Sequence, residues 1–345
     1  MFIKEFRELA ETWEPGKHMV VEERNGLIEA YHDAHVAVVD SGGRLLFSSG
    51  DPRHFTYTRS CIKPIQALPL LFTGAADHYG LTDREIAIIS GSHSGEPEHL
   101  KVVRSILQKA DLEESYLKCK GHAPFNKEQA KIIGEDYSPI HDNCSGKHAG
   151  ALATCKFMGW DLDTYTEFDH PLTKEIVRAT SELTGLKKEE IHTGVDGCDI
   201  PNFAIPIDKM AHLFALLMEP PEGPMKEHLS RLGTSMIKYP YLVAGTDRFD
   251  TVLMNDLSGN VLSKGGAVGL QTVAARTGMG WLGVSVKILD GAYSTTLPLM
   301  TYHVLSELGL RSSTSNKYKS PLVKTRSDKV VGAIYSFGTL NKHRS

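Results

Sequence analysis

Ser60 and Lys63 stand three residues apart in Thr58-Arg59-Ser60-Cys61-Ile62-Lys63-Pro64-Ile65-Gln66-Ala67-Leu68, where the pattern predicts a helix start. Positions i and i+3 of a helix share a face, so hydroxyl and amine would project side by side. That pairing suits nucleophilic chemistry, because a neutral amine can take the proton of a serine. Pro64 supports the helix start, since a residue without an amide hydrogen is tolerated only in the first turn, where N–H groups have no intrahelical partner. The apolar run Ile65, Ala67, Leu68, Leu70, Leu71 and Phe72 would then fix the pair in a core. A capping serine beside a solvated lysine would share the same spacing. Other stretches of the chain decide between the two.

Four polar stretches, all but the first containing glycine, fall at element ends in an otherwise apolar scaffold: Arg59–Lys63, Ser90–Gly95, Asp142–Gly150 and Gly194–Cys198. Lys264, before Gly265-Gly266, makes a fifth. A helical S-x-x-K, then a serine loop, then a strand lysine followed by glycine is the motif order of penicillin-binding proteins and class A β-lactamases. The middle element here is Ser92-His93-Ser94 and the last Lys264-Gly265-Gly266, so the logic is similar without being the same.

The elements that must position these groups follow from periodicity. Residues 19–24, 27–32 and 35–40 alternate as strands, with Asn25-Gly26 as a hairpin turn, and 44–48 continues an antiparallel meander. An amphipathic stretch covers Ile3–Trp13. Helices are expected over Glu98–Ala110, Ala151–Met158, Glu175–Thr184, Met210–Met218 and Pro298–Leu308. Val252–Met254 and Val261-Leu262 read as a hairpin turning at Ser258-Gly259-Asn260, and Gly283–Leu289 as a further strand. The polar tail 311–320 is expected to be loose, with Lys329–Tyr335 returning as an edge strand. No repeat, linker or low-complexity block divides residues 1–345, which points to one catalytic domain or two closely packed subdomains.

Composition bounds the function. The chain has 345 residues, 41% hydrophobic and 23% charged, enough for a large core. With 38 basic against 42 acidic residues and no basic block, nucleic acid is not an expected partner. No window is long and apolar enough for a membrane helix, and Met1–Glu8 lacks a signal core, so a cytoplasmic protein is expected. Cys61, Cys119, Cys144, Cys155 and Cys198 are too few for a disulfide framework and serve as core thiols, metal ligands or reactive groups.

Taken together, Arg59–Pro64, Ser92–Pro97, Asp142–Gly150, Gly194–Cys198 and Lys264–Gly266 resemble the Rhizobium etli type of L-asparaginase, the asparaginase II family. The resemblance spans roughly His35 to Tyr335. It implies a mixed α/β, penicillin-binding-protein-like fold, with an antiparallel sheet, flanking helices and a helical subdomain. It also implies two Ser-Lys pairs, Ser60 with Lys63 and Ser92 with Lys264. One serine would attack the side-chain amide of L-asparagine and release ammonia, and water would then free aspartate. Ser60 is the favoured nucleophile for its rigid helix start, with Ser92 relaying protons between the lysines, although the residues alone leave the choice open. A lysine with a reference pKa near 10.4 is a base only when burial or a second cation depresses that value.

The resemblance further implies zinc on Cys144, Lys147 and Cys198, and a homodimer. Spacing alone would select His148 or Asp196 before Lys147 as the third ligand. Arg59 and Asp196 suit the α-carboxylate and α-ammonium of an amino acid, and His148 would orient Asp196, the metal or the substrate. His93 reads as a loop hydrogen-bond partner and Arg248 with Asp250 as a local ion pair. His141, Cys61 and Cys155 read as packing or hydrogen-bonding residues. Two other readings share these residues: a penicillin-recognising acyl hydrolase, and a zinc-stabilised amino-acid-binding protein without turnover.

Overall fold

The structure, a computed structural model, describes residues 18–312 and 316–343. The stretch Ile3–Trp13 lies outside them. Strands β1 (His18–Arg24), β2 (Leu27–Asp40), β3 (Leu45–Ser49) and β4 (Phe55–Tyr57) open the chain, and β5 (His192–Val195) and β6 (Pro201–Pro206) follow in its middle. The remainder are β7 (Val261–Gly266), β8 (Leu270–Thr277), β9 (Gly280–Ile288), β10 (Leu322–Lys324), β11 (Val330–Phe337) and β12 (Asn341–Lys342). The large sheet runs β10-β11-β1-β2-β9-β8-β7, with β3 pairing β2 and β12. Every pairing in it is antiparallel. A small antiparallel sheet, β4-β6-β5, stands apart. This is the expected mixed α/β architecture, an antiparallel sheet covered by helices.

The β1–β2 hairpin turns at Asn25-Gly26, at φ of 48° and 89°, as a two-residue primed turn requires. The two strands expected between residues 27 and 40 are one. On one side β1 pairs up to Ala34 and β3 takes over from Val36, while on the other β9 pairs Ala34 through Asp40, so the strand continues across the change of partner. Alternate residues of β2 serve two cores. Val36 and Val38 pack with Leu253, Met300 and Val304, and Ala37 faces the larger core of Ile62, Ile65, Leu68 and Phe214. Burial on both faces explains the unbroken apolar run Val36-Ala37-Val38-Val39. Helix Ile207–Met218 lies against β9 at Gly283, where a Cβ would come within 1.8 Å of Ala211 O.

Several expectations are corrected. Val252–Met254 is not a strand but part of helix Phe249–Asp256, because its buried residues Asp250, Leu253 and Met254 follow helical spacing; the hairpin here is β7–β8. Lys329–Tyr335 does return as a strand, β11, but β10 covers its outer side, so it is not an edge. The tail is tethered: Asp256 accepts from Lys319 Nζ at 2.7 Å, from Asn316 Nδ2 at 3.3 Å and from Ser312 Oγ. The helix expected from Ala151 begins at Ser145, inside the polar stretch. Gly146 and Gly150 serve packing there, since a Cβ on either would lie 2.7 Å from Ile88 O or the Ile89 side chain. No helix among the described residues is long and apolar enough to cross a membrane.

Candidate active site

The chain enters the Ser60 turn from β4. Thr58 N donates to Phe203 O at 2.8 Å, and Thr58 Oγ1 shares its proton between Asn202 Oδ1 and Phe203 O, both at 2.9 Å. Arg59 then adopts φ of +47°, a left-handed conformation uncommon for a residue with a side chain. Arg59–Ile62 form a 3₁₀ turn, and the α-helix starts only at Lys63, with Pro64 in its first turn. The expected helix start therefore falls at Lys63 itself, with Ser60 in the 3₁₀ turn before it.

Lys63 reaches Ser92, not Ser60. Its buried Nζ donates to Gly91 O at 2.7 Å, Ser92 Oγ at 2.9 Å and Asn143 O at 3.4 Å. The Ser92 loop is fixed by Ser92 N donating to Val243 O at 2.7 Å and His93 N to Asn143 O at 3.2 Å. Gly91 permits that approach, since a Cβ there would sit 2.8 Å from Leu242 O and Val243 O. Lys264, fully buried on β7, donates to Gly265 O at 2.7 Å and bonds neither serine. Burial pushes its pKa down to about 8, helped by the charge of Lys63 and opposed by Asp250. One of the two lysines is therefore poised to supply the neutral amine that serine activation needs.

A cavity of about 830 Å³ opens over this group, lined among others by Arg59, Ser60, Ser92, Asn143, Arg248 and Asp250. Arg248 and Asp250 do not form the expected ion pair. Asp250 accepts from Ser263 Oγ at 2.7 Å, Gln271 Nε2 at 2.8 Å and Gly265 N at 2.9 Å, which ties the Lys264 strand to the preceding helix, Phe249–Asp256. Arg248 lies over the Phe125 ring at 4.9 Å. Sequence spacing gave Asp250 only a local role because its partners come from two strands that follow it.

Arg59 Nε donates to Asp196 Oδ1 at 2.9 Å, so the two expected substrate anchors are adjacent. His148 is buried away from the cavity; its Nδ1 is 2.7 Å from Tyr165 OH, and its Nε2 has no hydrogen-bond partner among the described residues. Burial lowers its pKa, although the Cys198 thiol pulls upward. His93, also buried, pairs its Nε2 with Ser145 Oγ at 2.9 Å, the loop role expected of it.

Cys144, Lys147 and Cys198 do come together. Lys147 Nζ donates to Cys198 Sγ at 3.0 Å, and all five cysteines are free and buried. A hydrogen bond from Cys144 draws the Cys198 pKa far below that of an ordinary thiol against the opposing effect of burial, with Lys147 and His148 adding to the pull. Cys144 moves the other way, raised by the same bond and by burial. Burial opposes the charge of Lys147, but Cys198, Cys144 and Asp196 together hold its pKa above the usual lysine value. Among the described residues no three His, Cys, Asp or Glu side chains gather as a metal site, so a metal here would need the lysine amine beside the two sulfurs. Asn143 joins the two halves: its carbonyl accepts from Lys63 and its Oδ1 from Cys144 Sγ at 2.9 Å. Its place in the Asp142–Gly150 stretch was the available signal for that role.

Comparison with curated proteins gives no match. Among solved structures, a β-lactamase from Mycobacterium bovis is 13% identical with a TM-score of 0.46, covering 88% of this chain and 99% of its own. The covalent complex of a Bacillus subtilis glutaminase with 5-oxo-L-norleucine is 11% identical with a TM-score of 0.36, covering 76% of this chain and 81% of its own. The family described as L-asparaginase II matches residues 20–336. On that match, which takes in every stretch described above, the chain belongs to the L-asparaginase II family and is a hydrolase acting on an amide.

Proposed function

We propose that this chain is an L-asparaginase of the Rhizobium etli type, hydrolysing the side-chain amide of L-asparagine to L-aspartate and ammonia through an acyl-enzyme on Ser60. The observation that carries the reading is the buried Lys63 amine 2.9 Å from Ser92 Oγ beneath a cavity that Ser60 lines. Ser60 Oγ attacks the amide carbon while its proton passes to Lys63, and Ser92 relays protons between Lys63 and Lys264. Collapse of the tetrahedral intermediate breaks the C–N bond, and the leaving nitrogen takes a proton from the relay and departs as ammonia. Water then attacks the ester, gives its proton to the same relay and releases aspartate, returning the proton to Ser60.

For recognition, Arg59 and Asp196 hold the α-carboxylate and α-ammonium. The ion pair uses Nε, which leaves the outer guanidinium nitrogens to meet a carboxylate as a fork. In Arg59→Gln the KM for L-asparagine rises roughly 10–100-fold, the worth of a charge-assisted hydrogen bond, while the KM for asparagine α-amide, which lacks the carboxylate, changes little. Equal loss on both substrates, in steady-state kinetics, would remove Arg59 from this role.

Zinc is part of the proposal through Cys144, Lys147 and Cys198. The donor chemistry fits on one condition: two sulfurs suit zinc, one of them already drawn toward thiolate, and Lys147, which donates to Cys198, would have to release a proton to serve as the third ligand. Bound zinc would supply Lewis-acid polarisation or rigidity to the cluster. His148, with its Nε2 unpaired among the described residues, would orient Cys198 from behind. In Cys198→Ser the zinc affinity falls by more than the roughly 10–100-fold that outer-shell changes cost. Zinc content unchanged by elemental analysis takes Cys198 off the ligand set. A cytoplasmic homodimer completes the reading.

The test is ammonia release from L-asparagine, with L-glutamine in parallel, before and after chelation. Turnover of asparagine supports the proposal, and no ammonia from either amide overturns it. One methylene separates the two substrates, worth about 1–3 kcal/mol in a fitted pocket.

A further inference from the structure

The least expected feature of the Ser60 turn is what holds it. Arg59 sits in the left-handed region at φ +47°, a conformation of order 1–3 kcal/mol unfavourable unless its surroundings enforce it. The enforcing group is one oxygen. Asn202 Oδ1, at the start of β6, accepts from Arg59 N at 3.2 Å, Thr58 Oγ1 at 2.9 Å and Phe203 N at 2.7 Å. Two of those donors are backbone N–H groups, which cannot accept, so the opposite amide orientation would set N–H against N–H. Asn202 is 1% exposed, and its Nδ2 has no partner among the described residues. A buried donor left unpaired is unfavourable by about 1–3 kcal/mol. The side chain is thus oriented for its oxygen, at the expense of its nitrogen.

We propose that Asn202 is the positioning residue for the catalytic turn: its Oδ1 holds Arg59 left-handed, which directs Ser60 into the cavity and the guanidinium back to Asp196. The bond pattern links the small sheet to the residue immediately before the nucleophile. Asn202 touches no substrate; it acts through the backbone of Arg59. The inference rests on the hydrolase reading of Ser60 given above.

Two substitutions separate positioning from stability. Asn202→Leu keeps the branched shape, with somewhat more bulk, and removes the acceptor, whereas Asn202→Asp keeps an acceptor oxygen and brings a charge into a buried site. A structural role alone would make activity follow stability, with the aspartate variant the worse of the two. Positioning reverses that order. In Asn202→Leu, kcat/KM for L-asparagine falls about 100-fold, the effect of misplacing a reacting group by roughly 1 Å. In Asn202→Asp it stays within about tenfold of the parent, although the melting temperature is no higher than that of the leucine variant. Hydrogen exchange over residues 58–62 accelerates in the leucine variant and not in the aspartate variant. Activity in Asn202→Leu within threefold of the parent, or unchanged exchange, overturns the proposal. If the parent releases no ammonia, the function reading fails and the exchange rates alone decide the role of Asn202. Should Asn202→Leu fail to fold, Thr58→Val, which removes one of the three donors, is put through the same exchange measurement with the same two outcomes.

Discussion

Ser60→Ala lowers ammonia release from L-asparagine by about 10⁴-fold or more, the scale seen when a member of a nucleophile–base unit is removed. Its fold persists, because Ser60 is half-buried at the cavity and no hydrogen bond to its hydroxyl exists among the described residues. Lys63→Ala gives a comparable loss, since the proton path from Ser60 through Ser92 to Lys264 is then broken. Ser92→Ala is milder, about 10²–10⁴-fold, as expected for a group that moves protons without forming the bond. It leaves Lys63 its bond to Gly91 O at 2.7 Å, so the lysine keeps its place. The geometry makes the ranking a real test. The direct serine–lysine bond belongs to Ser92, and a reader of distances alone would name Ser92 the nucleophile. Acid-quenched enzyme digested for mass spectrometry decides: an aspartyl ester on the Ser60 peptide supports the assignment. An ester on the Ser92 peptide, or substantial turnover by Ser60→Ala, reverses the two serines.

What could be read from the sequence, and what could not, divides by the range of the interactions. The Asn25-Gly26 hairpin and the helix over Pro97–Lys109 were legible because their signals are local: a primed turn and an apolar period. The Ser60 turn was legible in composition but not in detail. Its left-handed Arg59 depends on Asn202, a residue far along the chain with no local signal of its own. Asp250 was misjudged for the same reason, since Ser263, Gly265 and Gln271 reach it from strands that follow its helix. Val252–Met254 failed differently. Three apolar residues fit either period, and only the packing of Leu253 on the sheet decides for helix. The tail read as loose because it is polar, yet the polar groups are what bind it to Asp256. The site was most visible where motifs converge on one place in the fold. It was least visible where a single oxygen from another sheet sets a backbone angle.

If Lys264 works as a base, the rate must follow its proton. With a pKa of about 8, only about one molecule in ten carries the neutral amine at pH 7, half at pH 8 and about nine in ten at pH 9. The expected kcat/KM therefore climbs about tenfold from pH 7 to its plateau, with a midpoint near 8. Lys264→Met removes that limb and lowers turnover by about 10²–10⁴-fold. In Lys264→Met, stability should move in the opposite sense to turnover. The folded-state pKa lies below the unfolded value of 10.5, so the unfolded chain binds the proton more tightly. Below pH 8 both states are protonated and the full penalty of burying the charge acts. Between about 8 and 10.5 the unfolded state holds more protons, and stability rises with pH. Lys264→Met is thus relieved of up to about 3 kcal/mol at pH 7, less what Asp250 gains from the lysine. Its melting temperature at pH 7 should equal or exceed that of the parent. A base is catalytically necessary and structurally unfavourable, whereas a structural lysine would be the reverse. A variant that melts lower and keeps its rate, with an unaltered pH profile, would return Lys264 to the scaffold.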